Sequence, residues 1–300
     1  MADSTGVTTE MEMNGLPDEN VQDSQDLGIL TIRDTARNEQ LFTERAMLIV
    51  DRDDQDEDPA GLLHYLKSIL HNFQYHLSDQ NKAKFYALRG NKFFEGGIKY
   101  DLLRAYGADM TEDEVQHMFT EVCSPEKMEI LTRWYTNFVE MGDRGDGIFS
   151  TWGLLHHSCN PNAAWQYDKE LGKMRVVAIA DIAKGEEVFI SYIPDILMTR
   201  LDRMKSLHFN CDCPACNLSP QEQKRSDLRR QLIANIMQSI DEYIIHKAVQ
   251  GNTIAINNWD EALSLASRGL ALLHQESLVS EIPLLWKMRL VCYIKQYLGM

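Results

Sequence analysis

The sequence predicts an α+β fold: a β-rich core of short strands, interrupted by a helical insert and followed by a helical region. Three observations carry that prediction. Apolar runs of strand length, bounded by turn residues, stand at 28–32, 46–50, 163–167, 174–179 and 188–192. Residues from about 60 to 135 read as helical instead, with Leu62, Leu63, Leu66, Ile69, Leu70 and Phe73 at helical spacing on one face. Past residue 218 the helical pattern resumes and runs on through the last residues given.

Taken in order, residues 1–26 hold Asp3, Glu10, Glu12, Asp18, Glu19, Asp23 and Asp26 with no Lys or Arg and no apolar period, which predicts a disordered acidic tail. Strands at 28–32 and 46–50 flank a polar turn region at 34–39, and the acidic run 51–58, closed by Pro59, reads as a loop. In the insert, Thr111-Glu112-Asp113-Glu114 has the form of a capping box, where a hydroxyl and a carboxylate satisfy each other's free backbone N–H groups. Ser124-Pro125 suits a second helix start, since proline lacks the N–H that an initial turn leaves unbonded. The runs 163–167 and 174–179, with a polar turn at 168–172, form a hairpin pattern. Lys184-Gly185 turns the chain into 188–192. Helices are expected at 227–245, 259–274 (Asn258 as N-cap) and 284–298, and the small residues Ala262, Ala266 and Gly269 hint at a TPR-like array.

The chain given has 300 residues, 44% hydrophobic and 25% charged, which is the balance of a soluble globular protein with room for one large or two ordinary domains. A formal charge of −15 disfavours direct nucleic-acid binding, which needs a basic surface, and favours encounter with a basic peptide. No apolar run reaches membrane-spanning length and no secretory signal opens the chain, so a nuclear or cytoplasmic protein is expected, neither membrane-bound nor secreted.

Of six cysteines, Cys211, Cys213 and Cys216 stand at C-x-C-x2-C spacing. Three thiolates this close converge on one ion at little cost in chain entropy, and structural zinc takes a fourth ligand. Cys159 is the natural candidate, because it would staple the segment to the core; His208 competes. Cys123 and Cys292 read as ordinary buried thiols. His156 and His157 are adjacent, and neighbours on an extended chain point apart, so they do not share an ion.

The segment His156-His157-Ser158-Cys159-Asn160-Pro161-Asn162, followed by Gly185-Glu186-Glu187-Val188-Phe189-Ile190-Ser191-Tyr192 and then by the cysteine cluster, resembles the two core motifs and post-SET cysteines of SET-domain protein lysine methyltransferases. The order is closest to the MYND-less fungal relatives of the SET-and-MYND subgroup, with Thr136-Asn137 ahead of Gly147-Ile148-Phe149 adding to the likeness. The resemblance implies a SET domain over 27–193 with its helical insert, a zinc-bound post-SET segment over 194–217 and a helical region over 218–300. It implies transfer of a methyl group from S-adenosylmethionine to the lysine of a protein substrate such as a histone. It places Tyr192 at the methyl-transfer point, and Gly28, Asn137, His156, His157 and Phe209 around the cofactor. Structural zinc would be held by Cys159, Cys211, Cys213 and Cys216.

Alignment alone can supply about 7–11 kcal/mol of the barrier reduction such an in-line displacement needs. A cationic sulfonium and an apolar channel would also lower the lysine pKa from its reference of about 10.4. Three positions depart from the family pattern: His156 replaces an asparagine, Asp26 opens the glycine motif ahead of Gly28, and Leu207 replaces a tyrosine. They motivate a second reading, a catalytically weak or inactive SET fold acting as an interaction module.

Overall fold

The structure, a computed structural model, describes residues 21–24, 28–51, 59–106, 110–249 and 259–278. Contacts divide the chain into two units: Met1–Arg33, Gln40–Leu154 and Trp165–Val176 form one, and Asp34–Glu39, Leu155–Ala164 and Val177–Met300 the other.

In the first unit, the helical spacing read from the sequence folds as α1 (Pro59–Tyr75). It is followed by α2 (Asp79–Ala87), α3 (Phe93–Tyr106), α4 (Glu112–Val122) and α5 (Pro125–Asn137). The capping box forms as expected: Glu114 accepts from the Thr111 N–H at 2.8 Å. Pro125 opens α5, although Ser124 makes no side-chain cap bond. Leu66, Ile69, Phe85, Leu102, Leu131 and Trp134 are buried together as the core of this unit. A polar relay crosses it: the Trp134 indole donates to the Tyr65 hydroxyl at 3.2 Å, and that hydroxyl donates to buried Asp146. Burial, together with the Asp146 carboxylate, pushes the Tyr65 pKa up, so the phenol stays protonated and the relay keeps its direction.

Strands β1 (Val21–Ser24) and β2 (Gly28–Thr31) pair antiparallel, Ser24 opposite Gly28. Residues 21–24 were expected within the acidic tail and are instead a strand. A backbone ladder needs no apolar alternation, so nothing in Val-Gln-Asp-Ser announced it. The Asp26 departure and the helix expected at 284–298 lie outside the described residues. A further strand, β3 (Gln40–Glu44), follows the turn at 34–39 and buries Leu41 and Phe42. It joins β8 (Ala163–Asp168) and β9 (Lys173–Ala178), the expected hairpin, in the order β3-β9-β8. A second sheet sets β6 (Asp146–Ile148) between β4 (Leu48–Val50) and β5 (Phe138–Glu140). Gly145 turns the chain into β6 at φ +77°, and a Cβ there would meet the Val50 carbonyl oxygen at 2.3 Å, so only glycine fits.

Glu44, at the end of β3, accepts from the N–H groups of Thr151 at 3.0 Å and Trp152 at 2.5 Å and from the Ser150 hydroxyl at 3.2 Å. It thereby holds the turn that precedes the histidine motif. Burial raises its pKa above the usual value of 4.5 despite those donors. The folded chain therefore binds this proton more tightly than the unfolded chain. The associated stability is present at acid pH and is lost as pH rises through the raised folded-state value. Denaturant titrations from pH 4 to 8 should show the fall in the parent protein and a flatter profile in Glu44→Gln. Glu44→Ala, which strands two backbone donors, should cost about 1–3 kcal/mol at neutral pH.

In the second unit, β7 (His156–His157) runs parallel to β10 (Phe189–Ile190), His156 opposite Phe189 and His157 opposite Ile190. Three helices follow: α6 (Arg200–Leu207), α7 (Pro220–Val249) and α8 (Trp259–Gln275). Thr199 caps α6, and His208 ends it in the left-handed conformation at φ 56°. Cys159, Ile193, Leu207, Ile233, Ala266, Leu270 and Leu273 are buried in one core, so the cysteine segment and the described part of the helical region share a hydrophobic centre.

Candidate functional site

The Asn162 side chain helps join the two motif segments. Asn162 donates from Nδ2 to the Glu187 carbonyl at 2.8 Å and accepts from the Phe189 N–H at 2.7 Å through Oδ1, filling a ladder position that no backbone occupies. Ser158 continues the pairing by donating its N–H to the Ile190 carbonyl at 2.9 Å. This stitching sets the ends of β7 and β10 side by side and brings Tyr192 beside His157.

The His157 ring is committed within the protein. Nδ1 accepts the Tyr192 backbone N–H at 3.0 Å, so the ring proton sits on Nε2, which lies 3.3 Å from the Cys159 sulfur. Burial, the larger cause, pulls the His157 pKa down to about 4, so the ring is neutral at physiological pH. No ring nitrogen is left for a ligand. The Tyr192 side chain is 46% exposed, and its hydroxyl donates to the Leu155 carbonyl. Its hydrogen is thereby committed to that carbonyl. Phe209, 42% exposed, stands edge-on to the His157 ring at 6.2 Å, and Tyr192 lies 5.4 Å from the same ring. Two accessible aromatic rings thus flank one buried imidazole. His156 points differently: its Nδ1 meets Glu187 Oε1 at 2.5 Å. A carboxylate only accepts, so Nδ1 carries a proton toward Glu187.

The sulfurs of Cys159, Cys211, Cys213 and Cys216 all lie within 4.8 Å of one another, and all four residues are buried. Tetrahedral zinc with Zn–S bonds of about 2.3 Å needs sulfurs about 3.8 Å apart, so this donor set fits a structural zinc ion with small movements. His208, the competing fourth ligand, is exposed and not part of the group. Contact with Cys159 is the largest cause in each case, pushing the Cys211 pKa up and pulling those of Cys213 and Cys216 down, the last to about 6. A divalent ion would displace the remaining protons.

The sequence of residues 26–193 matches the SET-domain family model. The chain belongs to the SET-domain family. The N-lysine methyltransferase SMYD2-A of Danio rerio is 33% identical over 96 residues, covering 31% of this chain and 22% of that protein. The histone-lysine N-methyltransferase set5 of Schizosaccharomyces pombe is 31% identical over 109 residues, covering 35% and 34%. The matches therefore span about a fifth to a third of these curated relatives' length. The solved SET domain of LSMT bound to lysine and AdoHcy aligns over 93% of this chain and 88% of that chain, at 12% identity and a TM-score of 0.32.

Two of the SET-domain positions singled out in the sequence lie in the first unit. Gly28 opens β2 at φ 68°, a conformation costly for any side chain. Asn137 is buried and donates both amide hydrogens to backbone carbonyls, Arg89 at 2.7 Å and Arg133 at 2.8 Å, so only its oxygen remains for a further contact. Leu207 is packed into the core of the second unit. Sequence reading missed Leu155, whose contribution is a carbonyl with no side-chain signature, and Glu187, the acid in the Gly-Glu-Glu turn that pairs with His156. It also missed Arg203, which shares the buried face of α6 with Leu207, four residues on. A cation at an apolar position of an amphipathic helix was the available signal.

Proposed function

We propose that the chain is an S-adenosylmethionine-dependent protein-lysine N-methyltransferase with a structural zinc ion held by Cys159, Cys211, Cys213 and Cys216. The observation that carries this reading is the pair of exposed rings, Tyr192 and Phe209, around a buried His157 tied to the cysteine centre. When bound, S-adenosylmethionine supplies a methyl group made electrophilic by its sulfonium. Phe209 offers an accessible apolar ring for an adenine, and the Tyr192 hydroxyl, its hydrogen committed to the Leu155 carbonyl, would interact with the substrate amine through its oxygen. His157 orients Tyr192 through the backbone. Gly28 and Asn137 are assigned cofactor contacts by the family resemblance. The substrate is a lysine-containing protein, and the −15 charge favours a basic segment such as a histone tail. The enzyme acts in the nucleus or cytoplasm; no described helix is long and apolar enough to cross a membrane.

Calorimetric titration of S-adenosylmethionine into the zinc-loaded protein, followed by transfer of labelled methyl to lysine-rich peptides, tests the proposal. Micromolar binding with turnover is the expected result. Binding without turnover on any lysine peptide would favour the interaction-module reading, and no binding to folded protein would sink the enzymatic one. His156 is expected to be a tolerated departure, because Glu187 fixes its ring through Nδ1 and so holds Nε2 in one place. His156→Asn should then change the cofactor Kd by no more than about three-fold. A gain in affinity of a hundred-fold or more would show that His156 damages the site.

A further inference from the structure

Three guanidinium groups surround the four thiols. Arg200 donates from Nε to the Cys216 carbonyl at 3.0 Å, and Arg230 donates from Nη1 to the Cys159 carbonyl at 3.2 Å. Arg203 alone reaches a sulfur: its Nη2 lies 3.7 Å from Cys216 Sγ. Arg203 and Arg230 are both 0% exposed. Burying two permanent cations is costly unless negative charge lies against them. Arg230 has such a partner in buried Glu276, which accepts from its Nε at 3.1 Å and also binds Arg229 and Ser226. Arg203 does not have an equivalent carboxylate among the described residues. Its Nη1 donates to the Met198 carbonyl, its nearest acid, Asp227, stands 3.9 Å away, and its buried Nε has no hydrogen-bond partner.

Charge arithmetic supplies what is missing. Four thiolates around one divalent ion carry a net charge of about −2. That charge would sit within the core that holds Cys159, Ile193 and Leu207. We infer that Arg203 is a positioning residue of the metal centre, donating to the Cys216 sulfur and neutralising part of the tetrathiolate charge, so that a doubly negative centre is stable in a buried site. This rests on the zinc assignment above and adds to it a group that sets metal affinity without being a ligand. It also accounts for an arginine on the apolar face of α6, where Met or Leu would pack without charge.

Cobalt(II) is the probe, since its sulfur-to-metal charge-transfer band reports the electron density on each thiolate. Arg203→Met is expected to bind cobalt with the tetrahedral spectrum retained, an affinity lowered about 10- to 100-fold, and the charge-transfer band moved to longer wavelength. Removing a donor raises the energy of the sulfur lone pairs and narrows the gap. Arg230→Met serves as the contrast. Its partner is a carboxylate and its contact to the cysteines is to a main-chain oxygen, so its band should shift less than that of Arg203→Met even where its stability falls further.

Arg203→Lys keeps the charge but not the planar fork, and should fold, with an intermediate affinity and a measurable band shift. If Arg203→Met does not fold, the Lys variant decides: an unshifted band overturns the proposal. Parent-like affinity and band position in Arg203→Met overturn it as well. Absence of thiolate-to-cobalt bands in the parent protein would overturn the zinc assignment itself, and the role of Arg203 with it.

Discussion

Tyr192→Phe is expected to lower kcat for lysine methylation on the order of 100-fold or more, while leaving the fold and the S-adenosylmethionine Kd nearly unchanged. The substitution removes one oxygen. The ring stays, and with it the packing 5.4 Å from His157. The bond from the Tyr192 N–H to His157 Nδ1 is made by the backbone and survives any side-chain change. What is lost is the hydroxyl anchored on the Leu155 carbonyl, carried by a residue that is 46% exposed. A hydrogen bond of that kind contributes only about 0.5–1.5 kcal/mol to stability, so melting should move little. Its effect on the amine is larger. Methyl transfer needs the nitrogen lone pair in line with the departing sulfur, and alignment accounts for much of the catalytic advantage. A hundred-fold loss corresponds to about 2.7 kcal/mol, within the reach of one well-placed polar contact. Single-turnover kinetics at saturating cofactor are the right measurement, because they separate transfer from binding. A Phe variant that transfers at the parent rate would remove Tyr192 from the reaction, whatever its effect on KM.

Legibility in the sequence followed how locally each feature is encoded. The C-x-C-x2-C spacing lies within six residues, and the ligand count of zinc then asked for a fourth ligand; of the two candidates, Cys159 and not His208 stands with the other three thiols in the structure. Helix α1 and the hairpin of β8 and β9 were visible because an apolar pattern marks each, and the starts of α4 and α5 because their capping residues are local. Strand β3 was not, because Leu41 and Phe42 are only two apolar residues between polar neighbours and their burial depends on strands more than a hundred residues later. Strand β1 is held by a backbone ladder with a polar sequence. The pairs that shape the site join distant residues. His156 meets Glu187, Tyr192 meets a carbonyl of Leu155, and Asn162 bridges Glu187 and Phe189. No local pattern encodes a bond to a backbone oxygen. The arginines show the same limit in another form: composition rules place Arg203 and Arg230 on the surface, and tertiary compensation by Glu276 and by the thiol cluster buries them.

Loss of Cys159 should be the most damaging single change in the second unit, because that residue is at once a thiol of the cluster, a core side chain and an acceptor for His157. A structural zinc ion contributes roughly 10–16 kcal/mol of apparent binding free energy in small zinc-binding peptides at neutral pH. Removing one of four ligands forfeits about a quarter of that, on the order of 3 kcal/mol or a hundred-fold in affinity. Whole domains are stable by about 5–15 kcal/mol, so a loss of that size is a large fraction of the total. Cys159→Ala is therefore expected to release metal to a moderate chelator that the parent protein resists, and to melt well below it. Cys123→Ala makes the comparison, since Cys123 is half-buried and lies outside the thiol cluster; its cost should stay near 1 kcal/mol with the metal content unchanged. A functional effect should follow from the same bond network. Without the sulfur, His157 Nε2 loses its partner, and the ring that receives the Tyr192 N–H loses its fixed orientation. Cys159→Ala held at saturating zinc should then transfer methyl more slowly than its residual metal occupancy accounts for. If rate and occupancy instead fall in strict proportion, the link from Cys159 through His157 to Tyr192 carries no function, and the metal acts on stability alone.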